Sequence, residues 1–311
     1  MSHLKIFGHK SPDTDTVLSP IVYAWYLSEK KNTPAKAYAP GNLNRETEFI
    51  LKKFKVETPE KIESVTEKDK IIIIDTTNPD ELIEGVDKAE IVEIIDHHKL
   101  AGGLSTPGPI SITVRPVACC ATILWRQFKR EGNDDIPMEI AGLLLSAVLS
   151  DTLKFTSPTT TDEDKEASEE LAKIVGVDID QYCEEMFEAK SDLSGMNEKD
   201  VVLIDSKVFD LAGKKIRISV LETTKVENAL LMKDGILSAM CNIAKEEMLD
   251  GIFFYIVDIL KSEATLLVPD KFEIETAQKA HDCEIKDNQA KLPGVVSRKK
   301  QIVPNLEKAL S

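Results

Sequence analysis

No apolar run in this 311-residue chain approaches the roughly 20 residues that cross a bilayer. The opening Met1-Ser2-His3-Leu4-Lys5-Ile6 enters a strand directly and lacks the apolar stretch of a signal peptide. Cysteine pairing is equally absent. Cys119, Cys120, Cys183, Cys241 and Cys283 are odd in number and form no CxxC pair, which fits reduced thiols better than a disulfide framework. These absences imply a cytoplasmic protein that does not enter a membrane. Positive charge is also short: 39 Lys and Arg face 54 Asp and Glu, a formal net charge of −15. Such a balance argues against a nucleic-acid surface and against anionic lipid. An anionic small molecule stays compatible, because bound divalent cations and a few placed lysines reverse a local field. The chain has no internal repeat and no low-complexity segment. With 42% hydrophobic and 30% charged residues it reads as globular, and it is long enough for two cores.

What is present is a repeated device. The β-branched run Ile91-Val92-Glu93-Ile94-Ile95 stops abruptly at Asp96-His97-His98. Leu4 to Gly8 leads likewise into His9, Asp13 and Asp15, and Ile71 to Ile74 stops at Asp75. A fourth apolar run, Ile140 to Leu149, reads as a buried helix and ends at Ser150-Asp151. Up to about residue 150, β-branched runs alternate with helical stretches, the pattern of a parallel sheet with crossover helices. In such sheets the reactive crevice lies beyond the carboxyl ends of the strands, so these termini point to one shared site.

Further on, a capped helix start at Ser157 to Asp162 precedes an acidic helix that ends at Gly176. The pattern loosens at 191–196, the expected linker between a domain over 1–190 and a smaller one over 197–311. Strands are expected at Val201 to Ile204, Lys215 to Leu221, Gly251 to Ile259 and Glu263 to Val268, with helices near 225–247 and 273–282. The fold class is therefore α/β in two domains, a parallel sheet first and a mixed sheet second.

Each constellation has a bland reading beside the chemical one. Asp13 and Asp15 suit a turn that caps a helix as well as a cation site with His9. Asp75, after four isoleucines, caps the next helix or binds a metal; a buried carboxylate left alone is costly. The His97-His98 pair beside Asp96 is harder to dismiss as core histidine. Adjacent residues rarely bind one ion, so one imidazole is the ligand and the other faces substrate. His9, Asp13, Asp15, Asp75, His97 and Asp151 are too many for one ion with open positions and suit two. An oxygen-rich set with one imidazole per ion favours Mn²⁺ or Co²⁺. The basic run Ser297-Arg298-Lys299-Lys300-Gln301 reads as a solvated charge run or, set between apolar pairs, as a strand or loop that presents cations to phosphate.

With Gly8-His9-Lys10-x-Pro12-Asp13-Thr14-Asp15, Asp75, Asp96-His97-His98 and Ser150-Asp151-Thr152, the chain resembles the DHH phosphoesterase superfamily. The added Ser297-Arg298-Lys299-Lys300 resembles the manganese-dependent, family II inorganic pyrophosphatases. The Gly-Gly-Gly-His element of the exonuclease and oligonucleotide branches is absent. This resemblance implies an N-terminal DHH domain and a DHHA2-like C-terminal domain. It also implies two Mn²⁺ per subunit, with Co²⁺ as a substitute. One ion is held by His9, Asp13, Asp75 and Asp151, the other by Asp15, Asp75, His97 and Asp151. His98 then meets the substrate with Asp96 behind it, and Lys207, Arg298 and Lys299 bind phosphate. A bridging hydroxide attacks pyrophosphate, a further Mg²⁺ arrives with substrate, and the enzyme is a homodimer. A short-chain exopolyphosphatase of the same superfamily is the alternative. Thr76-Thr77-Asn78 and Ala118-Cys119 depart from the family's usual residues at those places.

Overall fold

Three of the four apolar runs that end near Asp or His become neighbouring strands of one sheet, and the fourth becomes a helix. In a computed structural model describing residues 3–100 and 102–311, the chain divides into two units, Met1–Ala189 and Lys190–Ser311. The first runs β1 (Leu4–Phe7), α1 (Thr14–Lys31), β2 (Ala35–Ala39), α2 (Arg45–Lys53), β3 (Glu60–Lys61) and β4 (Lys70–Ile74). It continues through β5 (Glu90–Asp96), β6 (Ser111–Val114), α3 (Cys120–Arg130), α4 (Met138–Asp151), α5 (Asp162–Val175) and α6 (Ile179–Lys190). The strand order is β3-β2-β1-β4-β5-β6, with every pairing parallel. Chain progress along the sheet reverses between β1 and β4, which makes that junction the switch point where α/β sheets open a crevice.

Ile71 to Ile74 are at most 2% exposed, as a strand covered on both faces requires. A Cβ on Gly8 would lie 2.4 Å from the Ile74 carbonyl oxygen, so only glycine lets the chain leave β1 so close to β4. Helix α4 is buried from Ile140 to Ser150 without a polar face. It packs so tightly that a Cβ on Gly142 would meet the Phe54 ring at 2.3 Å. Helix α5 opens with a reciprocal Thr161–Asp164 capping box and closes on Gly176 at φ 75°.

The second unit runs α7 (Glu198–Leu203), β7 (Ser206–Leu211), β8 (Lys214–Thr223), α8 (Val226–Leu230), α9 (Lys233–Glu246) and β9 (Gly251–Asp258). Then come β10 (Glu263–Leu267), α10 (Lys271–His281), β11 (Gln289–Pro293) and α11 (Val303–Leu310). Its sheet order is β11-β10-β9-β8-β7, with β8 and β9 parallel and the other pairs antiparallel. Val201, Val202, Ile236, Met240, Phe254 and Ile256 share its core. The α/β class, parallel sheet first and mixed sheet second, is as the sequence implies. Of 191–196, Leu193 enters this second core and Ser191 Oγ accepts from the Thr224 N–H at 2.8 Å.

Three local expectations are corrected. Of the strand expected at Val201 to Ile204, Val201 to Leu203 is helical, because the Asn197 side chain accepts from the Asp200 N–H at 2.9 Å and starts α7. A short apolar run fits a buried helix face as well as a strand. The helix expected over 225–247 breaks at Leu231-Met232 into α8 and α9. The basic run lies on a π-helical turn, Arg298–Ile302, that leads into α11.

Candidate metal centre

Helix α1 begins on Asp13, whose Oδ1 accepts from the Thr16 N–H at 2.9 Å. The capping reading of Asp13 is thus real, and it leaves Oδ2 free to face His9 Nε2 at 3.5 Å. Capping uses one oxygen and leaves the other compatible with the cation reading. The same Nε2 lies 3.4 Å from Asp75 Oδ2. Two residues on, Asp15 is fully buried; its Oδ2 accepts from the Cys120 N–H at 2.7 Å and its Oδ1 from Ser19 Oγ. The N-terminus of α3, whose N–H groups can hold an anion, therefore receives the protein's own carboxylate.

Asp75 sits at the switch point with φ 75°, a conformation that Asp tolerates better than most residues. Thr16 Oγ1 donates to its Oδ2, while His97 Nε2 lies 3.1 Å from its Oδ1. His97 Nδ1–H donates to the Val117 carbonyl at 3.2 Å, which pins the tautomer and aims Nε2 at Asp75. Asp96, buried at the end of β5, accepts on Oδ1 from the N–H groups of His97 and His98 and from His98 Nδ1 at 3.0 Å. Side-chain exposure separates the two imidazoles, 14% for His97 and 54% for His98.

Ligand atoms of His9, Asp13 and Asp75 lie within 4.8 Å of one another, and so do those of Asp15, Asp75, His97 and Cys120. Asp75 belongs to both sets. Asp151, at the end of α4, meets Asp15 and Cys119 within the same distance. Oxygen and imidazole donors dominate, a chemistry that suits Mn²⁺. The electrostatics fit a cation equally well. Asp15 is pushed up to about 6, by burial first and then by Asp75. Asp151 is held well above the usual carboxylate range by burial, Asp15, Asp13 and Asp75. Burial lowers His97 but Asp75 outweighs it and carries it to about 9; burial likewise opposes His9, which Asp13 and Asp75 lift to about 11. Without metal, protons stand where divalent ions would neutralise the carboxylates.

In the second unit, Lys207 is exposed on edge strand β7 and Lys299 is exposed on the π-helical turn. The Arg298 side chain is 16% exposed and pairs with Asp205 at 2.7 Å.

Two family models match: the DHH family N-terminal domain over residues 3–148 and the DHHA2 domain over 184–309. The manganese-dependent inorganic pyrophosphatase of Bacillus subtilis is 38% identical over 312 residues, covering 100% of each chain. A Lactobacillus acidophilus protein bearing that name with the qualifier "Probable" is 38% identical over 308 residues, 98% of each chain. The crystal structure of a candidate family II inorganic pyrophosphatase from Methanococcus jannaschii matches with a TM-score of 0.77 and 36% identity, over 99% of each chain. This chain belongs to the family II inorganic pyrophosphatases.

Around the family's motifs the structure adds residues that the sequence did not single out. Thr16 and Ser19 fix the oxygens of Asp75 and Asp15 from within α1. Glu46, buried at the start of α2, accepts on Oε2 from Thr14 Oγ1 at 2.8 Å and from Ser150 Oγ at 2.7 Å. It thereby joins the segments that carry Asp13, Asp15 and Asp151. Asp164 accepts from the Ala118 N–H at 3.1 Å and Thr122 Oγ1 at 2.6 Å, anchoring the start of α3. Thr16 and Ser19 stand out as polar residues inside an apolar stretch; Glu46 and Asp164, set among polar neighbours in sequence, carry no such signal.

Proposed function

We infer that this chain is a manganese-dependent inorganic pyrophosphatase, which hydrolyses pyrophosphate to two phosphates. The observation that carries the reading is Asp75, shared by two ligand clusters at the sheet's switch point, in a chain similar end to end to the Bacillus subtilis enzyme. The relatives' names favour pyrophosphate over longer polyphosphates.

Two Mn²⁺ per subunit would be held by His9, Asp13, Asp75 and Asp151 and by Asp15, Asp75, His97 and Asp151, with Co²⁺ able to replace them. When bound, such ions lower the pKa of water and polarise phosphoryl oxygens. The rest falls to side chains. Asp96 fixes His98 Nδ1 and raises the imidazole's pKa through that hydrogen bond, against burial. Nε2 of the more exposed ring is then the atom that gives a proton or hydrogen bond to a phosphate oxygen. Lys207, Arg298 and Lys299 offset charge on the phosphates. A Mg²⁺ entering with substrate, a homodimer and a cytoplasmic location complete the proposal. No helix among the described residues is long and apolar enough to cross a membrane.

Phosphate release from pyrophosphate and from tripolyphosphate, compared across Mn²⁺, Co²⁺, Mg²⁺ and Zn²⁺, tests it. Fast Mn²⁺-supported release from pyrophosphate with little from tripolyphosphate is expected. A preference for tripolyphosphate would move the assignment to the exopolyphosphatase.

A further inference from the structure

Arg298 differs from the rest of its basic run. Lys299 and Lys300 are exposed, whereas the Arg298 guanidinium is bonded twice to one residue. Its Nη2 lies 2.7 Å from Asp205 Oδ1, and its Nη1 donates to the Asp205 carbonyl at 3.0 Å. That carbonyl also accepts from the Val220 N–H at 2.8 Å, which ties Asp205 to β8. The next residue, Ser206, is braced in turn: its Oγ accepts from Arg217 Nη1 at 2.8 Å and lies 2.7 Å from Ser219 Oγ. Lys207 follows immediately. On the other side, Ser297 Oγ accepts from the Lys300 N–H at 3.2 Å. Gln301 Oε1 accepts from the N–H groups of Val296 and Ser297, both at 2.9 Å. Both backbones that meet at the Arg298–Asp205 pair are fixed.

We propose that Asp205 is a positioning residue for pyrophosphate binding, holding the Arg298 guanidinium pre-oriented beside Lys207. The inference rests on the phosphate-binding role of Arg298 given above. Guanidinium has five N–H donors in a rigid fork; Asp205 takes two and leaves three for a phosphate. A long side chain ordered before substrate arrives loses less freedom on binding. A carboxylate beside an anion site also carries an electrostatic cost, so the proposal requires the orienting gain to be larger. Because the Asp205 side chain is 49% exposed, replacing it does not open a core.

Steady-state kinetics on the full-length, Mn²⁺-loaded protein provide the test. Asp205→Ala should raise KM for pyrophosphate about tenfold, the scale of one charge-assisted hydrogen bond, with kcat changed less than about threefold. Its melting temperature should match the parent's. Asp205→Asn keeps an acceptor at Oδ1 and should bring KM back to within about threefold of the parent. Adding Asp205→Ala to Arg298→Ala should change nothing further, since the positioned group is gone. An unchanged or lowered KM in Asp205→Ala, or a full additive effect on top of Arg298→Ala, overturns the proposal. If Arg298→Ala is impaired while Asp205→Ala is silent, only the positioning role falls. If Arg298→Ala is itself silent, the phosphate-binding role falls with it.

Discussion

In the first unit the charged groups that matter are buried and crowded; in the second they stand at or near the surface. Asp15 and Asp75 are at most 1% exposed and share one cluster, held by neutral donors from Thr16, Ser19 and the Cys120 N–H. Lys207 and Lys299 are exposed, and Arg298 answers to a single carboxylate. A parallel sheet with a switch point explains the first arrangement, since adjacent strands deliver ligands to one crevice and neutral hydrogen bonds keep them there. An edge strand and a helical turn explain the second, where solvent carries most of the desolvation burden. Buried anions so arranged require cations in order to coexist; surface cations so arranged do not require an anion. The first unit should therefore depend on its metal for integrity, and the second should matter only when substrate is present.

The sharpest way to break that contrast is Asp75→Asn, which keeps a residue tolerant of φ 75° but removes the charge common to both ligand sets. Of the two Mn²⁺ per chain proposed above, few or none should stay bound, and activity should fall by roughly 10⁴-fold or more. Metal analysis that found two Mn²⁺ still bound would mean that Asp75 bridges nothing.

Next in size comes the division between the two neighbours just beyond β5. His98→Gln should leave Mn²⁺ content intact while lowering kcat by roughly 10²–10⁴-fold, the scale of a lost acid–base or orienting group. His97→Gln should instead lose metal. Equal metal loss in both variants would erase the distinction that 14% against 54% exposure suggests.

Much of the first unit was legible because its signal is local. An apolar run that ends on Asp or His names a strand and a candidate site residue together, as at Ile74-Asp75 and Ile95-Asp96, and sheet order then brings those ends side by side. The weakly apolar β2, Ala35–Ala39, escaped because its strand character comes from pairing with β1 and not from its own residues. Glu46 escaped because its partners Thr14 and Ser150 are far away in sequence. In the second unit Val201 to Ile204 misled, since four apolar residues carry no period of their own. Asp205 was passed over for a similar reason, as its meaning depends on Arg298, 93 positions later.

A smaller effect probes the second unit alone. Arg298→Ala should lower kcat/KM roughly 10²-fold, about one lost charge-assisted donor to a phosphate, with Mn²⁺ affinity unchanged. A loss of Mn²⁺ in this variant, seen by titration, would show that the two groups of charges are not separable.

The smallest effect is a pH dependence that belongs to the first unit. In the metal-free chain Asp15 is raised to about 6, so its contribution to stability is intact below 3.8 and is lost as pH rises through 6. His97 at about 9 and His9 at about 11 are raised too, because Asp75, joined by Asp13 for His9, outweighs burial. Their contacts contribute fully below 6.5 and fade as pH climbs through those values. Asp75, depressed by His9 and His97 against burial, loses its contribution only in acid, below this window. Asp15, His97 and His9 therefore act in one direction, as does the raised Asp151, and the metal-free chain loses stability from this cluster as pH rises. Mn²⁺ must displace the imidazole protons, so it binds more tightly over the same range. The melting-temperature gap between Mn²⁺-loaded and EDTA-treated protein should widen by about several degrees from about pH 5.5 to about pH 8. Arg298→Ala, which touches only the second unit, should show the same widening. A gap that stays constant or narrows would mean that the buried carboxylates are neutralised by something other than the metal.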